Sequence, residues 1–222
     1  MIIKTDKDTI QHYFEDSSGM SGSHADKIVI ADSIWDIIDF FKQIIKLPKH
    51  APITVAGGCT GVTGGCLAYG GVVLSTERLN SIGEIKKISQ DKALITVGSG
   101  TRVNDIKEYV LKHGWMYPPD PTEKNASIGG NISTNASGGR GFKYGTTREY
   151  INAIEIVFSD GTYSHIKRGS VFADAQGTLK LVTNEGTKNI VLPKYKLPQI
   201  KNAAGYFNYA NADLIDIFIG HE

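Results

Sequence analysis

The amino-acid sequence has little of three things: long apolar runs, cysteine and net charge. In its 222 residues no run approaches the ~18 consecutive apolar residues that a membrane-spanning helix needs. The two cysteines, Cys59 and Cys66, cannot build a disulfide framework, and we expect reduced thiols. Lysine and arginine (24) nearly balance aspartate and glutamate (23), so the net charge does not favour binding to nucleic acid or to an anionic membrane.

Targeting and metal-binding patterns are also missing from the sequence. Charged residues interrupt the first fourteen positions, where a signal peptide has an apolar core, so we predict a cytoplasmic protein. We expect any membrane contact to come only through a partner chain. The 6 histidines show no metal-ligand spacing and form no nucleophile–histidine–acid set. We therefore predict neither a metal ligand nor a catalytic residue.

Glycine, in contrast, is abundant and clustered. The chain has 25 glycines, against the ~7% that is usual in proteins. Seven lie between residues 57 and 71, and six between residues 129 and 145. These two windows hold half of all the glycine, and they carry the functional interpretation.

The remaining patterns indicate an α+β fold, because helices dominate early and hairpins late. Asp32 or Ser33 can cap a helix with an apolar stripe from Ile34 to Ile45, and Gly114 is a stop for a second helix. Residues 117–144 show little periodicity and are predicted as one long functional loop. We predict strands at residues 27–30, 53–55, 71–75 and 93–97, a helix at 102–113, hairpins around 160–161 and 184–186, and a short helix at 212–218.

The first glycine window, residues 57–65, follows a predicted strand directly. Its backbone N–H groups can form an anion-binding nest, and Thr60 and Thr63 add hydroxyl donors. Residues 53–76 contain no lysine or arginine, so a phosphate here must be held by backbone dipoles and hydroxyls. The lysine of an NTPase phosphate loop is missing, which excludes that class. A glycine-rich turn between two buried strands fits the same residues equally well.

The second glycine window lies in a segment rich in proline, serine and asparagine. Three prolines between residues 118 and 121 stiffen its entry by fixing φ. Residues 125–139 carry amides and hydroxyls but almost no charge, which suits hydrogen bonding to a polar cofactor. A solvent-exposed loop has a similar composition. Ile128 and Ile132 favour a segment that packs down instead.

Several motifs in this order resemble the FAD-linked oxidases of the vanillyl-alcohol-oxidase / p-cresol-methylhydroxylase type. The nearest resemblance is to the branch that contains D-lactate dehydrogenase and the FAD subunit of glycolate oxidase. The matching motifs are VAGGCTGVTGG (55–65), PPDP (118–121), SIGGNISTNASGG (127–139), KYGTTREYI (143–151), IEIVFSDG (154–161), KNAAGY (201–206) and the terminal FIGHE.

The resemblance implies an FAD-binding domain of two α/β subdomains. We expect an N-terminal segment at 1–26, a smaller subdomain at about 27–80 and a larger one at about 81–222. The implied activity is oxidation of a 2-hydroxy acid, of the D-lactate or glycolate type, by hydride transfer to FAD and then to an electron acceptor. The family's substrate-binding cap domain would be absent, so we expect this chain alone to be inactive.

The resemblance also assigns roles in cofactor binding to individual residues. The pyrophosphate would be held by Gly57, Gly58, Cys59, Thr60, Gly61, Gly64 and Gly65. The flavin, ribityl and phosphate groups would be lined by Ser127, Gly129, Gly130, Asn131, Ser133, Thr134, Asn135 and Ala136. The edge of the cofactor would meet Pro119 and Asp120, and the adenine end the backbone around Ile156.

Cys59 departs from the pattern, because some relatives carry at this position a histidine that bonds the flavin. We therefore predict noncovalent FAD. Two other functions stay open: a non-catalytic FAD-binding subunit that acts with a partner chain, and a flavoenzyme similar to UDP-N-acetylenolpyruvoylglucosamine reductase. A dinucleotide fingerprint at residues 97–103 is weak, because Val103 replaces its third glycine, and we expect a structural role there. The role of residues 173–192 is left open.

Overall fold

The structure is a computed structural model that describes residues 1–47, 51–194, 196 and 207–221. The motif at residues 201–206 lies outside the described residues. Within the described ranges no helix is long and apolar enough to cross a membrane. Helices and strands are both present, as the α+β prediction requires.

A four-stranded sheet forms the N-terminal half of the fold. Its strand order is β1-β2-β4-β3, in which β2, β4 and β3 are parallel and β1 is antiparallel at the edge. The strands β2 and β4 are buried almost throughout, as their uninterrupted apolar residues predict. The bounds are β1 Ile2–Lys4, β2 Lys27–Ile30, β3 Ile53–Ala56 and β4 Val72–Ser75.

Helices cover both faces of this sheet. On one face α2 (Ile34–Ile44) buries Phe40 against Val29 and Leu74. Ser33 caps α2 as predicted, because its Oγ accepts a hydrogen bond from the Asp36 N–H at 3.2 Å. The other face is covered by α1 (Lys7–Ile10) and a 3-10 helix (Gln11–Phe14), which belong to the N-terminal segment.

The middle of the chain packs around α3 (Val103–Lys112), which ends at Gly114 with φ +76°, as predicted. Its apolar stripe contacts Ile128 at the start of α4. The strand predicted at 93–97 is shorter than expected. Only β6 (Ala93–Leu94) pairs with β5 (Lys86–Lys87), and Val97 makes a single bridge to Ile82.

Both predicted hairpins are present in the C-terminal half. Their strands are β7 Ala153–Val157 with β8 Tyr163–Lys167, and β9 Thr178–Thr183 with β10 Gly186–Val191. The second turn is shorter than predicted, because Gly186 already belongs to β10. Ser164 Oγ donates to the Val182 carbonyl at 2.6 Å and joins the hairpins. The predicted C-terminal helix is a 3-10 helix, Leu214–Phe218, that packs on them.

The prediction of one long loop at residues 117–144 is wrong, because the segment contains two short helices. They are α4 (Ile128–Thr134) and α5 (Gly141–Tyr144). Ser127 caps α4 by accepting a hydrogen bond from the Gly130 N–H at 3.3 Å, and Asn135 ends it with a left-handed φ of 52°. The helix α4 has only seven residues, so its sequence shows little of the helical repeat. The one sign of it is the spacing of Ile128 and Ile132, and two glycines lie between them.

An ionic cluster fastens the C-terminal 3-10 helix to the rest of the fold. Asp216, only 7% exposed, accepts from Arg168 Nη2 at 2.9 Å and from Arg148 Nη1 at 3.2 Å. Arg148 also donates to the backbone carbonyls of Asp216 and Ile219. Burial lowers the pKa of Arg148, and Asp216 opposes that change. Asp213 Oδ2 also lies 3.8 Å from Arg168 Nη1, so two buried carboxylates balance the two guanidinium groups.

Removing this carboxylate tests the cluster. We expect Asp216→Ala to lower the free energy of unfolding by about 3 kcal/mol, because it leaves the buried Arg148 without a carboxylate partner and Arg168 with Asp213 alone. Urea denaturation followed by circular dichroism measures the change. The control is Glu185→Ala, which removes the exposed ion pair to Lys42 and is expected to cost under about 1 kcal/mol. Equal costs for the two variants would contradict the role of the cluster.

Candidate cofactor site

A cleft of about 410 Å³ lies where the loop after β3 meets the segment before α4. Its volume is in the range of small-molecule sites. It brings together four residues that the sequence analysis singled out: Gly57, Gly58 and Cys59 of the first glycine window, and Ser127, which lies just before the second. The other lining residues are His12, Tyr13, Glu77, Asn80, Gly100, Arg102, Asp105 and Asn125.

Backbone contact between the two glycine windows shapes this cleft. A Cβ placed on Gly58 would lie 2.7 Å from the Asn125 carbonyl oxygen and 3.2 Å from the Ser127 nitrogen. A Cβ on Gly57 would overlap the Ser127 hydroxyl. Only glycine allows the chain segments to approach this closely. The windows are therefore two walls of one site, although about 65 residues separate them in the sequence.

The N-terminal segment supplies a further wall. Tyr13 is 2% exposed, and its hydroxyl donates to Glu77 Oε2 at 2.9 Å. Burial and this carboxylate raise the pKa of Tyr13, so the phenol stays neutral. The His12 ring lies 4.0 Å from the Tyr13 ring, centroid to centroid. The sequence analysis missed both residues, because nothing local to them signals a site.

The turn before α3 also lines the cleft, through Gly100 and Arg102. The N–H of Gly129 donates to the Ser99 carbonyl at 2.8 Å, and that of Ile128 to the Thr101 carbonyl at 2.9 Å. This turn thus holds the start of α4 in place. The expected structural role is present, but the turn is a wall of the site as well. The sequence signal that could have identified this turn as part of the site was the pair of glycines at residues 98 and 100.

The other predicted residues of the first window lie farther along the same loop. Thr60, Gly61, Gly64 and Gly65 are outside the lining of the cleft. Gly64 has φ +78°, and a Cβ there would lie 2.5 Å from Met20 Sδ. The N-terminal segment therefore packs over this part of the loop too.

The predicted residues of α4 divide into exposed and structural positions. Gly130, Ser133 and Thr134 are exposed, and the hydroxyls of Ser133 and Thr134 donate to helix carbonyls. Asn135 Oδ1 accepts from the Arg148 N–H at 2.9 Å, and the Ala136 carbonyl accepts from Thr147 Oγ1. These last two contacts anchor the end of α4 to the following segment.

Three predicted residues lie outside the cleft lining. Pro119 is buried. Asp120 accepts from Lys107 and lies 3.2 Å from Arg140 Nε, and the Lys107 hydrogen bond above all lowers the pKa of this carboxyl. Ile156 packs in the hydrophobic core around the two hairpins. The structure does not bring these residues together with Gly57 and Ser127.

The donors of the site fit a polar, anionic cofactor. Asn131 is 3% exposed, and its Nδ2 has no hydrogen-bond partner among the residues that the structure describes. A buried donor of this kind is costly unless a bound group satisfies it. Arg102 is the one arginine or lysine in the lining, which also contains the carboxylates of Glu77 and Asp105. No cluster of three metal-ligating side chains occurs in the described ranges.

Comparison with known proteins gives the site its context. Residues 25–167 match the model of the FAD binding domain family. The chain belongs to this family. The FAD binding domain is 35% identical to a D-lactate dehydrogenase of Anaerostipes hadrus over 165 residues, which cover 68% of this chain and 34% of that protein. It is 35% identical to the glycolate oxidase subunit GlcD of Bacillus subtilis strain 168 over 162 residues, 66% of this chain and 33% of that protein.

Among solved structures, 6-hydroxy-D-nicotine oxidase from Arthrobacter nicotinovorans matches with a TM-score of 0.64. The match covers 75% of this chain and 35% of the solved one at 18% identity, which establishes the shared fold. The predicted vanillyl-alcohol-oxidase type of fold is thereby confirmed. The chain spans about a third of the length of the curated relatives it matches.

The contact at Gly58 can be tested by adding one methyl group. We expect Gly58→Ala to weaken FAD binding at least about tenfold, because the new Cβ displaces the loop from residues 125–127. Titration by flavin fluorescence measures the affinity, and circular dichroism checks the fold.

The matched control is Gly139→Ala, since a Cβ at Gly139 meets nothing within 4 Å. We expect this variant to bind FAD like the unaltered protein. If Gly58→Ala bound FAD as tightly as the unaltered protein, the close contact of Gly58 with residues 125–127 would not be needed for cofactor binding.

Proposed function

We propose that the chain is the FAD-binding part of a flavin-dependent oxidoreductase that oxidises a 2-hydroxy acid. The observation that carries this proposal is the meeting of the first glycine window with Asn125 and Ser127, just before the second window, at one cleft within a chain of the FAD binding domain family. The names of the relatives, D-lactate dehydrogenase and glycolate oxidase subunit, support the substrate class.

The first window would bind the pyrophosphate through its backbone. Residues 57–61, with Gly64 and Gly65, offer backbone N–H groups and the Thr60 hydroxyl as hydrogen-bond donors. Residues 53–76 contain no lysine or arginine that could bind the pyrophosphate instead. Arg102 supplies a positive charge from the opposite wall. Cys59 has a left-handed φ of 50°, which turns successive N–H groups of the loop toward one side.

The second window would orient the flavin and ribityl portions. Asn131 Nδ2 is the buried donor that such a group satisfies. Bound FAD supplies the two-electron chemistry, because its flavin accepts a hydride from the carbon that bears the substrate hydroxyl. The remaining contacts are proposed for Ser127, Gly129, Gly130, Ser133, Thr134, Asn135, Ala136, Pro119, Asp120 and Ile156.

We further propose the division of the chain into subdomains at about residue 80. The main sheet ends with β4 at Ser75, and the later hairpins have their own hydrophobic core. The walls of the cleft contain no nucleophile–base pair with a positioned acid, so substrate binding and proton transfer would need groups from another domain or a partner chain. The second candidate, an FAD-binding subunit that works with a partner, is supported by the printed name of one relative, the glycolate oxidase subunit GlcD.

The spectrum of the purified protein tests the cofactor. We expect flavin absorption bands, and we expect the yellow colour to stay in the supernatant after acid precipitation, because no histidine lies at position 59 to bond the flavin. Colour in the pellet would contradict noncovalent binding and would implicate Cys59 or Cys66. A colourless protein that takes up no added FAD would overturn the proposed function.

Turnover tests the need for a further domain or partner. We expect the 222-residue chain, loaded with FAD, to show no steady oxidation of D-lactate or glycolate with an artificial electron acceptor. A full-length relative such as the D-lactate dehydrogenase of Anaerostipes hadrus serves as the positive control. Steady turnover by this chain alone would show that its own residues complete the active site.

A further inference from the structure

The two cysteines bracket the first glycine window. Cys59 and Cys66 are free thiols and both are partly exposed. Their side chains pack against the same hydrophobic cluster beneath the sheet, where Cys66 Sγ also lies 3.8 Å from Asp16 Oδ2. Each thiol shifts the pKa of the other. Between them lie residues 60–65, TGVTGG, which include most of the proposed pyrophosphate donors.

From this placement we propose that Cys59 and Cys66 form a reversible disulfide that closes residues 59–66 into a ring and lowers the affinity of the loop for FAD. Disulfide formation brings the two sulfurs to about 2.05 Å, much closer than a hydrogen bond between thiols. Residues 60–65 must move to accommodate that change. The effect on FAD rests on the proposed function, whereas the disulfide itself does not.

The surroundings of the two thiols divide their chemical roles. The Cys66 thiol lowers the pKa of Cys59, while burial and the carboxylates of Asp16 and Glu77 oppose that change. The Cys59 thiol, together with burial, raises the pKa of Cys66. Cys59 lines the cleft and is reached from solvent, so it is the attacking thiolate. The neighbouring Tyr13 stays neutral and adds no charge.

A low-molecular-weight disulfide such as oxidised glutathione is the oxidant in this step. The Cys59 thiolate attacks one glutathione sulfur, a mixed disulfide forms, and one glutathione thiolate leaves. The Cys66 thiol lies 3.8 Å from Asp16 Oδ2, which accepts its proton. The Cys66 sulfur then attacks Cys59 Sγ, and the second glutathione leaves and takes up the proton through solvent. Two thiols lose two electrons, and one glutathione disulfide becomes two thiols.

Peptide mapping tests the disulfide in the purified chain. Trypsin leaves both cysteines in one peptide, residues 50–78, because no lysine or arginine lies between them. After treatment with oxidised glutathione we expect this peptide to lack two hydrogens and to take up no alkylating reagent. After reduction it should take up two alkyl groups. Two independently glutathionylated cysteines, or two thiols that remain open to alkylation, would overturn the proposal.

Variants at Cys66 separate the cross-link from simple blocking of Cys59. In Cys66→Ser the same treatment should stop at one glutathione on Cys59. Cys66→Ala serves as a second variant where the serine is poorly tolerated in this half-buried position. An unmodified Cys59 in both folded variants would contradict its role as the attacking thiolate.

FAD titration tests the consequence for binding. We expect the oxidised protein to bind FAD about tenfold more weakly than the reduced protein, which corresponds to the loss of one or two hydrogen bonds. The Cys66→Ser variant should bind FAD with one affinity in two states: before treatment with the oxidant, and after the oxidant has been removed and the mixed disulfide has been reduced. Affinities within about twofold for the reduced and cross-linked proteins would overturn the effect on binding. A reduced protein that binds no FAD would overturn the proposed function and this effect together, and the peptide map would still decide the disulfide.

Discussion

Close contact between backbone segments is the constraint on which the site depends. Gly58 lies against the carbonyl of Asn125, and Gly129 lies against that of Ser99, where a Cβ would come within 2.9 Å. Glycine at these positions has a steric reason that is independent of any ligand. At Gly58 the same absence of a side chain leaves the backbone accessible to a cofactor, whereas the Gly129 N–H donates to the Ser99 carbonyl. One constraint thus accounts for both the packing of three distant segments and the polarity of the cleft they form.

Much of the fold could be predicted because local signals agreed with tertiary packing. Ser33 and Gly114 mark helix ends, and the Asp160–Gly161 pair marks a hairpin turn in which Gly161 has φ +77°. The helix α4 was missed because its caps, Ser127 and Asn135, lie in a segment whose composition is that of a loop. Its formation depends on contacts with α3 and the turn before it, which a local pattern does not contain.

Some walls of the cleft could likewise be predicted from the sequence, and others could not. The two glycine windows could be found from composition, because the close approach that joins them demands glycine. Tyr13 and Arg102 could not, since they reach the site only through the packing of the N-terminal segment and the start of α3. Most other cations near the second window are engaged elsewhere: Arg148 with Asp216, and Arg140 with Asp120. These charges therefore mainly stabilise the fold.

The N-terminal segment and the C-terminal 3-10 helix both lie outside residues 25–167, the part of the chain that defines its family. A protein trimmed to that range would expose the sheet face that Ile10 and Tyr13 cover, and would bury Arg148 without Asp216. The segment that the family model matches is therefore too short to cover its own sheet and to pair its own buried arginine.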